Sequence, residues 1–190
     1  MEKDEDVKKS ILDASRIVFQ KWGLNKSTME DIARETGKGK STLYYYFKNK
    51  EEIFETIAKQ EFTAILIKVQ SVIKLEKSAK EKLKLYLITM IKEIKNTVSI
   101  YPLAKGELKA NKHFLNEIQK YLADRQEDIV MEILIEGQKS GELNYLKAND
   151  LKKAADVLIG IVRALSLYLF FDVDDDEQID IAVKFITSGI

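Results

Sequence analysis

The chain has no cysteine, one proline, one histidine and only 8 glycines in 190 residues. Without thiols it has no disulfide framework, no thiolate metal centre and no cysteine nucleophile. With one histidine, any nucleophile–base pair falls to carboxylates, lysines and tyrosines, and no spacing arranges them for catalysis, so no enzyme is expected. His113 has no second histidine or cysteine with which to share a metal, which leaves it a helix-start or loop role and leaves the chain without an expected metal or cofactor. So little glycine and proline argues against a turn-rich β fold and for long uninterrupted helices. The longest apolar stretch, Val157 to Phe171, is ~15 residues with Arg163 inside it, short of the ~20 that cross a bilayer. The charged opening Met1-Glu2-Lys3-Asp4-Glu5-Asp6 lacks the apolar core of a signal peptide, so a cytoplasmic protein without membrane contact is expected.

Net charge is zero, with 31 basic and 31 acidic residues, but its distribution is uneven. Arg34 to Lys50 holds five bases (Arg34, Lys38, Lys40, Lys48, Lys50) against one acid (Glu35), a balance of +4. Asp172 to Asp180 holds six acids and no base. The basic block coincides with a motif. Ser27 to Thr36 and Lys40 to Phe47 read as two short helices around Gly37, the second crowded with hydroxyls, tyrosines and lysines. That is the layout of a helix-turn-helix, whose second helix enters a DNA major groove. A first helix, about Val7 to Trp22, precedes them. Val7, Ile11, Ala14, Val18 and Trp22 form its apolar face, Phe19 widens it and Gly23 caps it. Ser27 and Glu30 stand as a capping box for the second helix. Ile32, Ala33 and Thr36 carry that helix's inner side, and Leu43 with Phe47 that of the third.

Chemistry assigns expected roles within this segment. Thr28, at a helix N-terminus, can give its hydroxyl to phosphate, and Lys50 would clamp the opposite backbone stretch. Tyr44 suits a phenol-to-phosphate contact. Lys40, Ser41, Thr42 and Tyr45 are candidates for base edges, since lysine reaches guanine acceptors and hydroxyls read several bases. Lys38 and Tyr46 fit either role. Tyr44, Tyr45 and Tyr46 project ~100° apart, so they cannot all serve a core.

Helical periodicity continues beyond this segment. Asn49 and Glu52 open a long helix from Lys50 that keeps its period past residue 70, and Ser78 with Glu81 opens another. Pro102 breaks the chain, followed by a short helix over Leu103 to Ala110 and a longer one from Phe114 to Ser140 that Gly141 caps. Asn149 or Asp150 opens the penultimate helix, and a last one runs from about Asp176 to Ser188. A stretch apolar all round, as at Val157–Phe171, must be covered on every side. A second copy of the chain is the simplest cover, and Gly160 allows close approach.

On the stripe Leu115, Ile118, Leu122, Ile129 and Ile133, Arg125 replaces an expected apolar residue. An inward charge needs a partner, either an anionic ligand group or an acid such as Glu93. Arg163 poses the same question in the penultimate helix. Tyr86, Met90, Tyr121 and Tyr168 are ordinary core or the wall of a cavity for a large, mainly apolar ligand.

The segment Gly23-Leu24 … Thr28-Met29-Glu30-Asp31-Ile32-Ala33 … Gly37 … Ser41-Thr42-Leu43-Tyr44-Tyr45-Tyr46-Phe47-Lys48-Asn49-Lys50-Glu51-Glu52-Ile53 resembles the N-terminal signature of the TetR family of bacterial transcription regulators. The likeness covers about residues 8–55. It departs from the usual pattern at Lys38-Gly39, Ser41 and Tyr46. The resemblance implies an all-α chain, with a three-helix DNA-binding domain over 1–48 and a larger six-helix domain over 49–190. It further implies a homodimer through the last two helices, a small-molecule effector held in each subunit, and a repressor released from its double-stranded operator when that effector binds.

Overall fold

The computed structural model describes residues 2–101 and 112–171, with residues 177, 178, 181, 184 and 185. Seven α-helices and no strand occur among them: α1 (Glu2–Lys26), α2 (Met29–Thr36), α3 (Lys40–Tyr46), α4 (Lys50–Ile73), α5 (Ala79–Ser99), α6 (Lys112–Ser140) and α7 (Leu151–Phe171). A short 3₁₀ turn, Ala148–Asp150, leads into α7. The expected helix at Leu103 to Ala110 and the break at Pro102 lie outside the described residues, as do the side chain of His113 and most of the expected helix at Asp176 to Ser188, whose described residues 177, 178, 181, 184 and 185 are helical.

The chain forms two compact units. The first comprises Met1–Glu61 and Val98–Ile118; the second comprises Phe62–Thr97 and Gln119–Ile190. The first division between them falls inside α4.

The first unit contains the helix-turn-helix. Its core joins Ile11, Leu12, Val18 and Phe19 of α1 to Ile32 and Ala33 of α2, Leu43 of α3, and Ile53, Phe54 and Ile57 of α4. Phe54 is its hub: it meets Phe19 edge-on at 5.3 Å, Tyr101 at 6.3 Å and Phe114 at 5.3 Å. Such offset and edge-on ring pairs each add about 0.5–1.5 kcal/mol beyond the area they bury. Arg16 fastens α1 to α4, with Nε 3.0 Å from Glu61 and Nη2 2.8 Å from Gln60.

Several local expectations shift. α1 starts at Glu2 and is broken at Gly23, where φ is +75°. Beyond that break Leu24 turns inward, so Trp22 is left half exposed with the Lys21 ammonium 5.1 Å from its ring. The N-cap of α2 is Thr28, one residue later than expected: Asp31 N donates to Thr28 Oγ1 (3.1 Å) and Thr28 N to Asp31 Oδ2 (3.0 Å), a reciprocal box. Ser27 is buried and gives its hydroxyl to the Gly23 carbonyl instead. At the start of α4 Asn49 accepts from Glu52 N (2.8 Å), but the Glu52 carboxylate turns to Lys48 N.

In the second unit, Leu83, Leu87, Met90 and Ile91 of α5, Val69 and Ile73 of α4, Ile133 and Leu134 of α6, and Ile159 and Val162 of α7 are buried. Glu142, after α6, reaches back to the start of α5. It accepts from the Ser78 hydroxyl (2.6 Å), which also takes the Glu81 N–H at 3.4 Å as a cap of α5, and the bond from Ser78 lowers the Glu142 pKa. α6 begins at Lys112 rather than Phe114. Arg125 is exposed, contrary to the inward placement expected. Its guanidinium stacks 3.9 Å from the Tyr121 ring, and Glu93 pairs with Lys68 at 2.7 Å. The inward polar residue is its neighbour Gln126, whose Oε1 accepts from the Tyr86 hydroxyl at 2.7 Å. Arg163 is exposed as well. Among the described residues no helix is long and apolar enough to cross a membrane.

Candidate nucleic-acid interface

α2 and α3 are too short to hold themselves together in water, where isolated helices need about 12–15 residues. Their ends and one face each are secured by the rest of the first unit. α2 begins in the Thr28–Asp31 box and ends at Gly37, whose left-handed backbone (φ +64°, ψ 21°) directs its N–H back to the Ala33 and Arg34 carbonyls. The +64° dihedral is cheap only for glycine, and it sets the turn into α3. α3 presses Leu43, and Phe47 at its end, into the core. Spacing does the rest. With those two positions inward, Lys40, Ser41, Tyr44 and Tyr45 face solvent, and Tyr44 and Tyr45 are 55% and 79% exposed. Two tyrosines left uncovered beside lysines are the feature a core-packing role does not explain.

Not all candidates are equally free. Lys40 Nζ lies 2.6 Å from Glu30 Oε2, and this contact pulls the Glu30 pKa down. Tyr46 donates its hydroxyl to Asp4 at the start of α1 (2.6 Å), and that bond drives its pKa up to about 12. The ring of Tyr46 also stands edge-on to that of Tyr45 at 5.0 Å. Thr28 is exposed, with its hydroxyl donated to Asp31 (2.6 Å), which holds the Asp31 carboxyl below its ordinary pKa. Lys50, the first residue of α4, directs its ammonium at the carbonyls of Leu24 (2.7 Å), Asn25 (3.0 Å) and Ser27 (2.9 Å). Ser41 is exposed, and Thr42 and Lys38 are half-buried. An open cleft of about 380 Å³ beside the turn is lined by Glu30, Ala33, Arg34, Gly37, Lys38 and Lys40, three cations around one carboxylate. Periodicity had flagged Glu30 only as a cap residue. Its contact with Lys40, ten residues on, depends on the turn geometry at Gly37.

The residues expected to line an effector site are less unified. Tyr86 and Met90 are fully buried. Tyr121 is half-buried, with its hydroxyl 3.0 Å from that of Thr63. Arg125 and Tyr168 lie at the surface. Gln126 was missed because, one residue from Arg125, it looks like any surface polar position. Among the described residues no group of histidine, cysteine, aspartate and glutamate could hold a metal ion.

Residues 11–57, from the first-unit core through the start of α4, match the model of bacterial regulatory proteins of the tetR family. The chain is 29% identical over 157 residues to the fatty acid metabolism regulator protein of Bacillus subtilis, covering 80% of this chain and 77% of that one. It is similar in fold to the transcriptional regulator FadR from Bacillus subtilis solved in complex with stearoyl-CoA. There the TM-score is 0.68 and the identity 26%, over 96% of this chain and 98% of that one. A TetR/AcrR-family regulator from Thermobifida fusca shares the fold alone, at TM-score 0.71 and 21% identity over 97% and 98% of the two chains. The helix-turn-helix over residues 11–57 is thus that of the tetR family, and the relatives matched over most of the chain are transcription regulators.

Proposed function

We infer that this regulator binds its operator as a homodimer, represses transcription there, and is released when a long-chain acyl thioester occupies the second unit. The observation that carries the DNA half is the solvent-facing set Lys40, Ser41, Tyr44 and Tyr45 on a helix whose opposite side is anchored by Leu43 and Phe47. Rigid support beneath an exposed, cationic, hydroxyl-rich face is what major-groove readout requires. Thr28, Tyr44 and Lys38 are assigned to phosphates, Lys40, Ser41, Thr42 and Tyr45 to base edges, and Tyr46 and Lys50 to holding the helices that carry them. The Lys50 charge still lies close to the Thr28 end of α2, where it attracts phosphate without needing to donate.

Dimerisation is supported by α7. Val157, Ala164 and Tyr168 are exposed and Ile161 is half-buried, at spacings of four, three and four residues, so one apolar stripe of that helix is uncovered. Gly160 beside it has nothing within 4 Å of an added Cβ. The acyl thioester reading rests on the fatty-acid regulators at 26–29% identity over most of both chains. It agrees with the apolar and aromatic side chains of the second unit, and α4, continuous from Lys50 to Ile73, would carry the signal. The cytoplasm is the compartment where operator and acyl thioester meet.

The test is a gel shift with DNA upstream of the protein's own gene, with and without stearoyl-CoA, over a range of salt. Retention that weakens steeply with salt and is lost on adding the thioester supports the reading. No retention at low salt overturns it, and retention that ignores stearoyl-CoA and shorter thioesters alike overturns the effector.

A further inference from the structure

We propose that Glu30 is a specificity-determining residue of the DNA interface, acting by withdrawing Lys40 from general phosphate attraction and aiming its ammonium at a base edge. The inference rests on the DNA reading above and extends it to a residue that the helix-turn-helix pattern leaves aside.

The Glu30–Lys40 contact joins the first turn of α2 to the first residue of α3 at 2.6 Å. The two side chains are 61% and 54% exposed, and an ion pair so open to solvent contributes almost nothing to folding. The helix dipole favours an acid in the first turn of α2 whichever way its side chain points, so neither it nor the ion pair explains why this carboxylate reaches Lys40. Its neighbours on the cleft are Arg34, Lys38 and Lys40, and Arg34 is already answered by Asp31 at 3.7 Å. The hydrogen bond from Lys40 lowers the Glu30 pKa, which favours its charged form.

A docked duplex decides what that charge does. Phosphate offers only acceptors: it would satisfy Lys40 and repel Glu30, so indiscriminate binding to any backbone is weakened. The major-groove edge of a G·C pair offers both kinds of partner. Guanine O6 and N7 accept from an ammonium, and cytosine N4 donates to a carboxylate. The Glu30–Lys40 pair thus matches a G·C pair at both ends and matches a phosphate at one. The expected operator carries such a pair beneath the start of α3.

The experiment compares wild type, Glu30→Gln, Lys40→Gln and the double variant on two probes. One is the duplex enriched from a randomised pool by the wild-type protein; the other is a mixed-sequence duplex of equal length. Glutamine keeps the size of Glu30 at an exposed position, and thermal melts confirm that all four proteins fold. For Glu30→Gln, binding to the mixed duplex should tighten, and the slope of log affinity against log salt should steepen by about one as Lys40 turns to phosphate. Preference for G·C at the affected position should fall about tenfold. In the double variant the effect of Glu30→Gln should vanish, because it works through Lys40. Wild-type affinity, slope and base preference in Glu30→Gln would overturn the role of Glu30 while leaving DNA binding intact. A wild type that enriches no duplex would overturn the DNA reading beneath it.

Discussion

Lys50 carries its charge at the start of α4, yet its three protons all go to carbonyls of the α1–α2 connection. Hydrogen bonds from a charged donor are worth roughly 1.5–3 kcal/mol, against about 1 for neutral ones. Lys50→Ala should therefore lower the stability of the protein by about 1–3 kcal/mol in urea melts, with weaker DNA binding as well. Unchanged melts would mean that water replaces the ammonium without loss. Tyr44 and Tyr45 separate differently. Tyr44→Phe, which deletes only a phenol, should weaken binding about equally on all sequences, whereas Tyr45→Ala should alter the sequences selected from a random pool. Tyr101 gives a pH signature: burial, ahead of the nearby Glu61 carboxylate, pushes its pKa up to about 12 from the ordinary 10.0. A phenol whose folded pKa is raised supports the fold fully below pH about 10 and loses that support as pH climbs to about 12. Stability should thus decline across this alkaline window, and Tyr101→Phe should flatten the decline.

At the scale of elements, two glycines differ in what they do. Gly37 has no atom within 4 Å of an added Cβ but sits at φ +64°, so Gly37→Ala strains the backbone alone. Gly137, inside α6, would bring a Cβ to 2.5 Å from Leu143 Cδ1 and 2.8 Å from Ala79 Cβ. Gly137→Ala should cost about 1–3 kcal/mol by overpacking, seen as a lower urea midpoint, and Thr28→Ala about 1 through the lost cap. These elements also show what was legible in advance. The apolar spacing of Leu43 and Phe47 placed α3 correctly, because a seven-residue helix has room for only one inward pair. The cap of α2 was misplaced by one residue because Ser27-Thr28 and Glu30-Asp31 offer two equivalent boxes. The break at Gly23, which engages the Ser27 hydroxyl, chooses between them. Arg125 and Gln126 exchanged places for a different reason. Over the 29 residues of α6 an i, i+3, i+4 stripe drifts around the axis, and one residue of drift is 100° of direction. The Glu30–Lys40 and Tyr46–Asp4 contacts were invisible to periodicity, since each joins two different helices at the surface, one through a turn and one across 42 residues of sequence.

For the whole molecule, the uncovered stripe on α7 sets a test of assembly. Val157→Asp with Ala164→Asp should convert a dimer to a monomer in sedimentation and weaken operator binding severely, since one head then binds without the help of its twin. Persistence of the dimer would move the interface elsewhere. The ammonium of Lys50 also closes, by hydrogen bonds, a loop of chain from residue 24 to residue 50, with both short helices inside it. What is enclosed behaves as a cartridge: its two ends are latched together whatever surface α3 displays between them. Transplanting residues 38–45 from another regulator together with its residue at position 30, with Leu43 kept, should therefore redirect this protein to the donor's operator without rebuilding the body that carries it.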